Sequence, residues 1–289
     1  MTIQEALDRF LVQLEADGRS PHTVGQYRRH VQSLARWLSE TGQAGEVGDL
    51  NHELIARFLS SPAAKACEGG GAKKATSVNA LRSSIRVFAA YLHQAGYVAQ
   101  DPGRLIKRAQ TSSGPPRALS AEERDRLLLV LGAAAGDEAA RDHALIDLMA
   151  MTGIRLSAAL GLDVEDLNLA GGDLTIRTKG DRTERVYLPR PVAEHLARFV
   201  GKRTTGPVFT ARGQRVSRRH VQRRFSEWLK RAGISQTLSP HSLRHSMAMD
   251  LYRKTGDILL VKEALHHRSI ASTIVYARAS QENLRAALA

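Results

Sequence analysis

The chain has 289 residues, which is long enough for two domains that each bury a core. Hydrophobic residues make up 43% of it, and no apolar run approaches the ~20 residues that span a bilayer, so a disordered, fibrous or membrane-spanning protein is excluded. The N-terminus lacks a basic region followed by an apolar core, and the single cysteine, Cys67, cannot form an internal disulfide. Both features predict a cytoplasmic protein without a signal peptide.

The net charge of +13 is concentrated in one part of the chain. Residues 179–254 carry 18 Lys and Arg against 5 Asp and Glu, whereas residues 111–178 carry 6 against 11 and residues 1–110 carry 14 against 10. Such a local excess indicates a face that binds a polyanion better than a high isoelectric point alone does. A surface that serves only solubility is the alternative, but the basic residues cluster around the candidate chemistry, which favours nucleic acid.

The first 110 residues are predicted to be helical. Thr2 and Glu5 have the spacing of a capping box, and Ser20 followed by Pro21 has the pattern of an N-cap and a first helical residue. Apolar residues at helical spacing predict four helices, over residues 3–14, 24–38, 54–59 and 78–92. Four helices with short connections are typical of a small bundle, so we predict an N-terminal helical domain over residues 1–110.

A polar, proline-containing segment over residues 111–118 is predicted to be a linker, and the second domain covers residues 119–289. Ser120 and Glu123 form another predicted capping box where this domain begins. Further helices are predicted over residues 127–131, 139–151, 192–200, 217–231, 242–254, 258–265 and 281–288.

The only persuasive β signal is a hairpin with strands over residues 173–178 and 182–189 and its turn near Gly180 and Asp181. The predicted fold class is therefore mainly α, with two domains. A helical bundle is followed by an α+β domain that holds a small antiparallel hairpin or sheet.

Two arginines and a histidine could hold a phosphodiester. A phosphodiester under attack spreads negative charge over its non-bridging oxygens, and guanidinium groups suit that charge because they donate two parallel hydrogen bonds. Arg155 follows Thr152-Gly153 at a turn between helices, and Arg244 follows His241 by three residues at the start of a helix. We assign His245 to packing or hydrogen bonding within the domain, because it is adjacent to Arg244 and points elsewhere. Taken singly, each of these residues is more often an ordinary surface or packing residue.

Lys179 and Tyr276 are candidates for the general acid and the nucleophile in cutting a phosphodiester. Lys179 ends a hairpin strand, where its ammonium could protonate the alkoxide leaving group. A phenolate at Tyr276 could attack phosphorus and form a phosphotyrosyl ester, which conserves bond energy so that strands can be rejoined without a nucleotide cofactor. The phenol has an ordinary pKa of about 10, so it needs a base or neighbouring cations such as the arginines and His267. No Cys or carboxylate completes a metal-ligand set around the histidines, and we predict neither a metal nor a cofactor.

Together these residues resemble the tyrosine recombinase (phage integrase) family in its compact, Xer-like form. The resemblance covers nearly the whole chain, including an N-terminal opening over residues 20–27 that is similar to the family's core-binding, SAM-like domain. The matching motifs are Thr152–Arg155, Lys179, Pro240–His245, Leu265–His267 and Ser272–Tyr276.

The resemblance implies a role for each matched residue. Arg155 and Arg244 would bind the scissile phosphate, and His241 and His267 would hydrogen-bond to it or assist proton transfer. Lys179 would be the general acid for the leaving 5′-hydroxyl. Tyr276 would form a 3′-phosphotyrosyl link.

The resemblance also implies partners. Members act on double-stranded DNA as tetramers, so we expect a nucleoid-associated, cytoplasmic protein whose residues 281–288 dock onto a neighbouring protomer, with a second recombinase as a further candidate partner. We assign DNA binding to seven basic side chains, Lys73, Lys74, Arg215, Arg218, Arg219, Arg223 and Arg224. Two departures affect geometry rather than catalytic groups: Ala158 stands where members often have an acidic residue, and His266 stands where they usually have glycine.

The leading interpretation is therefore a site-specific DNA recombinase. A type IB topoisomerase would use similar residues, but the N-terminal helical domain and the short linker favour a recombinase. A DNA-binding or architectural protein without cutting activity could keep the basic face without the catalytic set, and here all six catalytic positions are occupied.

Overall fold

The computed structural model describes residues 1–43, 45–67, 69–110, 116–178 and 182–279. The chain divides into two compact units, Met1–Ser113 and Gly114–Ala289. Their boundary falls within the predicted linker.

The first unit consists of helices joined by short connections. Its helices are α1 Ile3–Ala16, α2 Pro21–Glu40, α3 His52–Ser60, α4 Pro62–Lys65 and α5 Ala75–Gln94. The four predicted helices are confirmed, and α4 is an additional single turn. The capping box of α1 is confirmed as well, since the Glu5 amide donates to Thr2 Oγ1 over 3.1 Å and the Thr2 amide donates to Glu5 Oε2 over 2.8 Å.

An aromatic cluster forms the centre of this unit. The ring of Phe10 on α1 lies 5.4 Å from Tyr27 on α2, and 5.4 and 5.0 Å from Phe88 and Tyr91 on α5. These distances are those at which aromatic pairs attract one another. The cluster therefore fixes α1, α2 and α5 around one apolar core.

The second unit is also mainly helical. Its helices are α6 Ala121–Gly132, α7 Asp137–Thr152, α8 Leu156–Gly161, α9 Arg190–Val200, α10 Arg218–Arg231, α11 His241–Thr255, α12 Ile258–Ala264 and α13 Ile274–Ala279. The sequence did not predict α8 and α13, because six residues are too few for a helical period to show. The predicted helix over residues 281–288 lies outside the described residues.

Two small antiparallel sheets complete this unit. Their strands are β1 Leu167–Asn168, β2 Asp173–Thr178 and β3 Arg182–Tyr187 in one sheet, and β4 Thr210–Ala211 and β5 Gln214–Arg215 in the other. The predicted hairpin is confirmed, with Leu174 opposite Val186 and both side chains buried. Its predicted turn lies outside the described residues. The second hairpin turns at Arg212 and Gly213, which both have positive φ, as a two-residue hairpin loop requires.

Helix α7 is central to the second unit and packs against α6, α9, α10 and α11. A separate apolar cluster joins α11, α12 and α13, and it contains Ala248, Val261, Leu265 and Tyr276. This cluster positions the C-terminal part of the candidate site. In the part of the chain that the structure describes, no helix combines the length and the apolar character needed to cross a membrane.

Candidate active site

Arg244 lies at the centre of the candidate site. It is on the second turn of α11 and only 3% exposed, and it donates hydrogen bonds from Nη1 to the carbonyl of Gly153 over 2.6 Å and from Nη2 to the carbonyl of Leu265 over 2.5 Å. Burial and the nearby Arg155 lower the pKa of Arg244 to about 10. The guanidinium is therefore held by two neutral carbonyls, which orient it without neutralising it.

A tight turn brings one of these carbonyls to the arginine. Gly153 ends α7 in the left-handed conformation, with φ of 67°. A Cβ at this position would lie 2.9 Å from Leu265 Cδ2 and 3.3 Å from Met247 Sδ. Glycine suits this position because of its left-handed conformation, and a larger residue would also displace the side chains of Leu265 and Met247.

Arg155 follows this turn as the N-cap residue of α8 and is exposed. It lines a cavity of about 600 Å³ together with Arg244, His267 and His266. Its charge contributes to the lowered pKa of Arg244, of His241 and of His267, so Arg155 is close enough to interact electrostatically with all three groups. The structure therefore brings both predicted arginines to one cavity.

The predicted histidines come from two segments, and of these two residues His267 lines the cavity. His241 begins α11, and its pKa is lowered by burial and then by Arg244 and Arg155. His267 follows α12, and its Nδ1 lies 2.9 Å from the hydroxyl of the fully buried Thr273. Burial and the same two arginines lower the pKa of His267 to about 4. At neutral pH the imidazole of His267 is therefore uncharged and can serve as a hydrogen-bond donor or proton acceptor, and the lowered pKa of His241 favours the same form.

Tyr276 lies on α13 and is 2% exposed. Burial raises the pKa of its phenol, while Arg244 and Arg155 act in the opposite direction. Its hydroxyl lies 2.9 Å from Nδ1 of His245. The candidate nucleophile is therefore protonated and covered by protein in this state.

His245 forms a hydrogen bond within its domain, as the sequence predicted, but the predicted direction of its side chain is wrong. The sequence argument placed it away from the site because adjacent helical residues point in different directions. His245 is, however, four residues after His241 and shares its helical face, so that the two rings pack 4.6 Å apart at 84°. The i, i+4 spacing was the signal that could have found it.

His266, one of the two departures from the family pattern, faces a carboxylate. Its φ is 48°, which is the left-handed region that glycine usually occupies, and its Nδ1 lies 3.4 Å from Glu184 Oε2 on β3. That oxygen is buried and has no hydrogen-bond partner among the described residues. Glu184, which the sequence analysis did not single out, lines the cavity with both arginines. The other departure, Ala158, is half-buried and packs against the main core of the unit.

Two predicted parts of the site lie outside the described residues. Lys179 follows the described end of β2, and residues 281–288 follow α13. In the ranges that the structure covers, no three His, Cys, Asp or Glu side chains are grouped to hold a metal ion.

The basic residues assigned to DNA binding fall into two groups. Arg218, Arg219, Arg223 and Lys74 are exposed. Lys73, Arg215 and Arg224 are engaged within the protein: Lys73 Nζ donates to the carbonyls of Ala63 and Ala64, Arg215, which is also exposed, binds Asp163, and Arg224 binds Asp142. Arg223, although exposed, donates from Nη1 to Glu227 Oε1 over 2.7 Å.

The arrangement suits phosphoryl transfer. A cavity that carries two guanidinium groups can stabilise a phosphate whose negative charge increases in the transition state. Uncharged imidazoles and a phenol beside that cavity can move protons during the reaction. The fold and this site together define a phosphoryl-transfer enzyme.

Comparison with known proteins identifies the family. Residues 117–283 match the phage integrase family, and residues 7–96 match the N-terminal SAM-like domain of phage integrases. The chain therefore belongs to the phage integrase family, and it is a tyrosine recombinase, an enzyme of site-specific DNA recombination. The alternatives of an architectural DNA-binding protein and of a type IB topoisomerase are not favoured.

Similar proteins cover almost the whole chain. Tyrosine recombinase XerC of Neisseria meningitidis serogroup B is 32% identical over 278 residues, which are 94% of this chain and 90% of that protein. XerC of Vibrio parahaemolyticus is 29% identical over 98% of this chain and 91% of that protein. Among solved structures, XerH recombinase in a post-cleavage complex with difH DNA has a TM-score of 0.77 at 21% identity and covers 96% of this chain and 84% of that one. A lambda integrase dimer bound to a COC′ core site has a TM-score of 0.72 at 20% identity, covering 93% and 96%.

Proposed function

We propose that this recombinase cuts and rejoins the strands of double-stranded DNA through a 3′-phosphotyrosyl bond at Tyr276. The observation that carries the proposal is the approach of four distant segments to one place. Arg155 at the start of α8 and Arg244 on α11 act electrostatically on both His267 after α12 and Tyr276 on α13. The chain positions a nucleophile and a cationic phosphate site together, which is what in-line attack on a phosphodiester needs.

Each residue then has one role. Arg155 and Arg244 bind the non-bridging oxygens of the scissile phosphate, and His241 and His267 hydrogen-bond to it. Lys179 protonates the 5′-oxygen as it leaves. Tyr276 is buried at 2% exposure, so binding of DNA has to uncover its hydroxyl before attack.

The exposed basic residues of α10 bind the DNA. Arg218, Arg219 and Arg223 lie on the outer face of the helix, and Lys74 supplies a contact from the first unit. Arg223 pairs with Glu227 on the same helix, but such an exposed pair contributes only about 0–1 kcal/mol and can be exchanged for a phosphate. Arg215, Arg224 and Lys73 are less suitable, because their charged groups bind acceptors on other elements of the protein. The active form is a tetramer on DNA in the cytoplasm, in which residues 281–288 contact a neighbouring protomer. XerH and lambda integrase, whose folds are similar, were solved bound to DNA, the latter as a dimer.

A covalent trapping experiment tests the nucleophile. Tyr276→Phe is used first to select a target duplex from random-sequence DNA, because this variant should bind without cutting. A nicked form of that duplex then traps the cleaved strand on wild-type protein as an adduct that survives denaturing electrophoresis. We expect the adduct with wild type and no adduct with Tyr276→Phe.

Tyr252→Phe is the matched control, because Tyr252 packs against the same apolar cluster on α11. It should form the adduct as wild type does. An adduct in the Tyr276→Phe variant would show that another residue is the nucleophile.

A further inference from the structure

The one hydrogen bond that the hydroxyl of Tyr276 makes to a described residue is with His245, over 2.9 Å. His241, one of the two histidines that the family resemblance assigns to the phosphate, has its ring packed edge-on against His245 rather than against Tyr276. The rings of His245 and Tyr276 are 5.7 Å apart. The contact is therefore a hydrogen bond between the phenol hydroxyl of Tyr276 and a ring nitrogen of His245, and not a stacking interaction.

We propose that His245 is a further catalytic residue, the proton acceptor for Tyr276 in strand cleavage and the proton donor to it in rejoining. The proposal rests on the proposed function of Tyr276 as the nucleophile. It adds a residue that touches the reacting oxygen and that the matched catalytic set does not include.

Strand cleavage moves two protons. The O–H bond of Tyr276 breaks while its oxygen forms a bond to phosphorus, and the proton passes to Nδ1 of His245. The bond between phosphorus and the 5′-oxygen breaks, and that oxygen takes a proton from the general acid, proposed above as Lys179. Rejoining reverses each transfer, so the protein returns to its starting protonation state.

The groups around His245 allow it to accept the proton of Tyr276 only when a phosphate is present. His241 and Arg244 on its own helix, Tyr276 on α13 and His267 after α12 are the titratable groups that face it. Burial, His241 and Arg244 lower the pKa of His245 to about 4, so the free ring is neutral and a weak base. A phosphate beside Arg244 brings negative charge that favours the imidazolium, which couples loss of the phenol proton to the arrival of DNA.

Two substitutions separate proton transfer from simple positioning. His245→Asn keeps a hydrogen-bond acceptor near the position of Nδ1 but cannot take a proton, whereas His245→Phe keeps the ring volume and removes both functions. We expect both to slow single-turnover cleavage of the nicked duplex on the order of 10²-fold or more, the usual contribution of general acid–base catalysis. Duplex binding should remain at the wild-type level. His143→Gln is the matched control, a half-buried histidine of the same unit with a lowered pKa whose loss should leave cleavage unchanged.

The pH profile gives a readout that a structural role would not change. Wild-type cleavage should vary little between about pH 6.5 and 8.5, because the base is already unprotonated. In His245→Asn the rate should rise about tenfold per pH unit, since the phenolate must then form by direct loss of a proton to solvent. A wild-type rate and a flat profile in the Asn variant would overturn the proposal, even if the Phe variant fails to fold.

A substrate with sulfur in place of the bridging 5′-oxygen identifies which proton transfer is lost. A thiolate leaves without an acid, so this substrate should rescue a Lys179→Ala variant and leave His245→Asn slow. Rescue of His245→Asn would mean that His245 assists the leaving group, which contradicts the proposal. Adduct formation by Tyr276→Phe would instead refute the nucleophile assignment, and that result is independent of His245.

Discussion

Arg141 and Arg244 are both 3% exposed in the second unit, but they are held in different ways. Arg141 on α7 donates from Nε and Nη2 to Asp142 over 3.1 and 2.7 Å. Asp142 also accepts from Arg224 and Trp228 on α10, over 2.7 and 2.8 Å. Arg244 is bound by two backbone carbonyls instead, and the carboxylate of Glu184 acts on it without a hydrogen bond to it in the described chain.

This difference separates a structural charge from a functional one. A buried charge is costly unless it is paired, and the Arg141–Asp142 cluster meets that requirement within the protein while it fastens α10 to α7. The charge of Arg244 is only partly compensated by the protein. A bound phosphate can therefore supply the missing negative charge beside Arg244. The site keeps its affinity for an anion, and the incompletely compensated charge lowers the stability of the folded protein.

The largest expected effect on this comparison comes from replacing each arginine in turn. Arg244→Met should lower the rate of cleavage by about 10²–10³-fold, because it removes a preorganised donor to the developing charge. Its melting temperature should change little, since loss of a poorly compensated buried charge offsets two unpaired carbonyls. The rate is measured with the nicked duplex and the melting temperature by calorimetry.

Arg141→Met should give the reverse pattern, with a lower melting temperature and a normal cleavage rate in the folded protein. If both variants lose cleavage equally while remaining folded, the distinction between the two arginines is wrong.

The second test concerns the carboxylate that joins the structural cluster. Asp142→Asn removes the buried carboxylate that binds Arg141 and Arg224 and leaves them only the more exposed Glu138 and Glu227, at 3.6 to 3.9 Å. It should lower the free energy of unfolding by up to about 3–5 kcal/mol. Unfolding in urea can be followed through the fluorescence of Trp228, which donates to Asp142.

Asp125→Asn is the matched control, because Asp125 is 71% exposed and lies 3.5 Å from Arg124. Surface pairs of this kind contribute about 0–1 kcal/mol. An equal loss of unfolding free energy in the two variants would show that Asp142 contributes no more than an exposed ion pair does.

The third test measures how the stability of the protein depends on pH, because protonation of the active-site histidines should destabilise the folded state. The pKa values of His245 and His267 are each lowered from 6.5 to about 4 in the folded chain. The unfolded chain therefore binds protons at these residues between about pH 6.5 and 4 while the folded chain does not, and stability falls as the pH falls through this window. The melting temperature of wild type should decrease accordingly.

His245→Asn should make that decrease shallower. His22→Asn, at an exposed position of the first unit, should not change it. A melting temperature that is independent of pH from 6.5 to 4 would contradict the burial of neutral histidines in the site.

The smallest expected effect separates two arginines of α10. Arg219 is exposed and Arg224 binds Asp142. Arg219→Ala should reduce the slope of log K against log salt concentration for duplex binding by about one, as loss of one phosphate contact requires.

Arg224→Ala should keep that slope and lower stability. A reduced slope in Arg224→Ala at unchanged stability would show that Arg224 contacts DNA phosphate rather than only Asp142.

Much of the fold followed from local pattern. The capping boxes at Thr2 and Ser120, the proline after Ser20 and the long apolar stripes predicted the principal helices, because these signals act within one or two turns. The hairpin of β2 and β3 was predicted from its alternating residues. The short elements α8, α13, β1, β4 and β5 were missed, since their form is imposed by the core they pack against.

The sequence by itself determined the reaction class, because two arginines, the histidines and a late tyrosine in a characteristic order specify a recombinase without any knowledge of distance. Only the tertiary structure decided which groups touch. It placed Arg244 between two carbonyls, turned His245 toward Tyr276, and committed Arg224 to Asp142. These contacts join residues that are 21 to 91 positions apart in the chain, and such pairings depend on how helices pack rather than on the residues that precede or follow them.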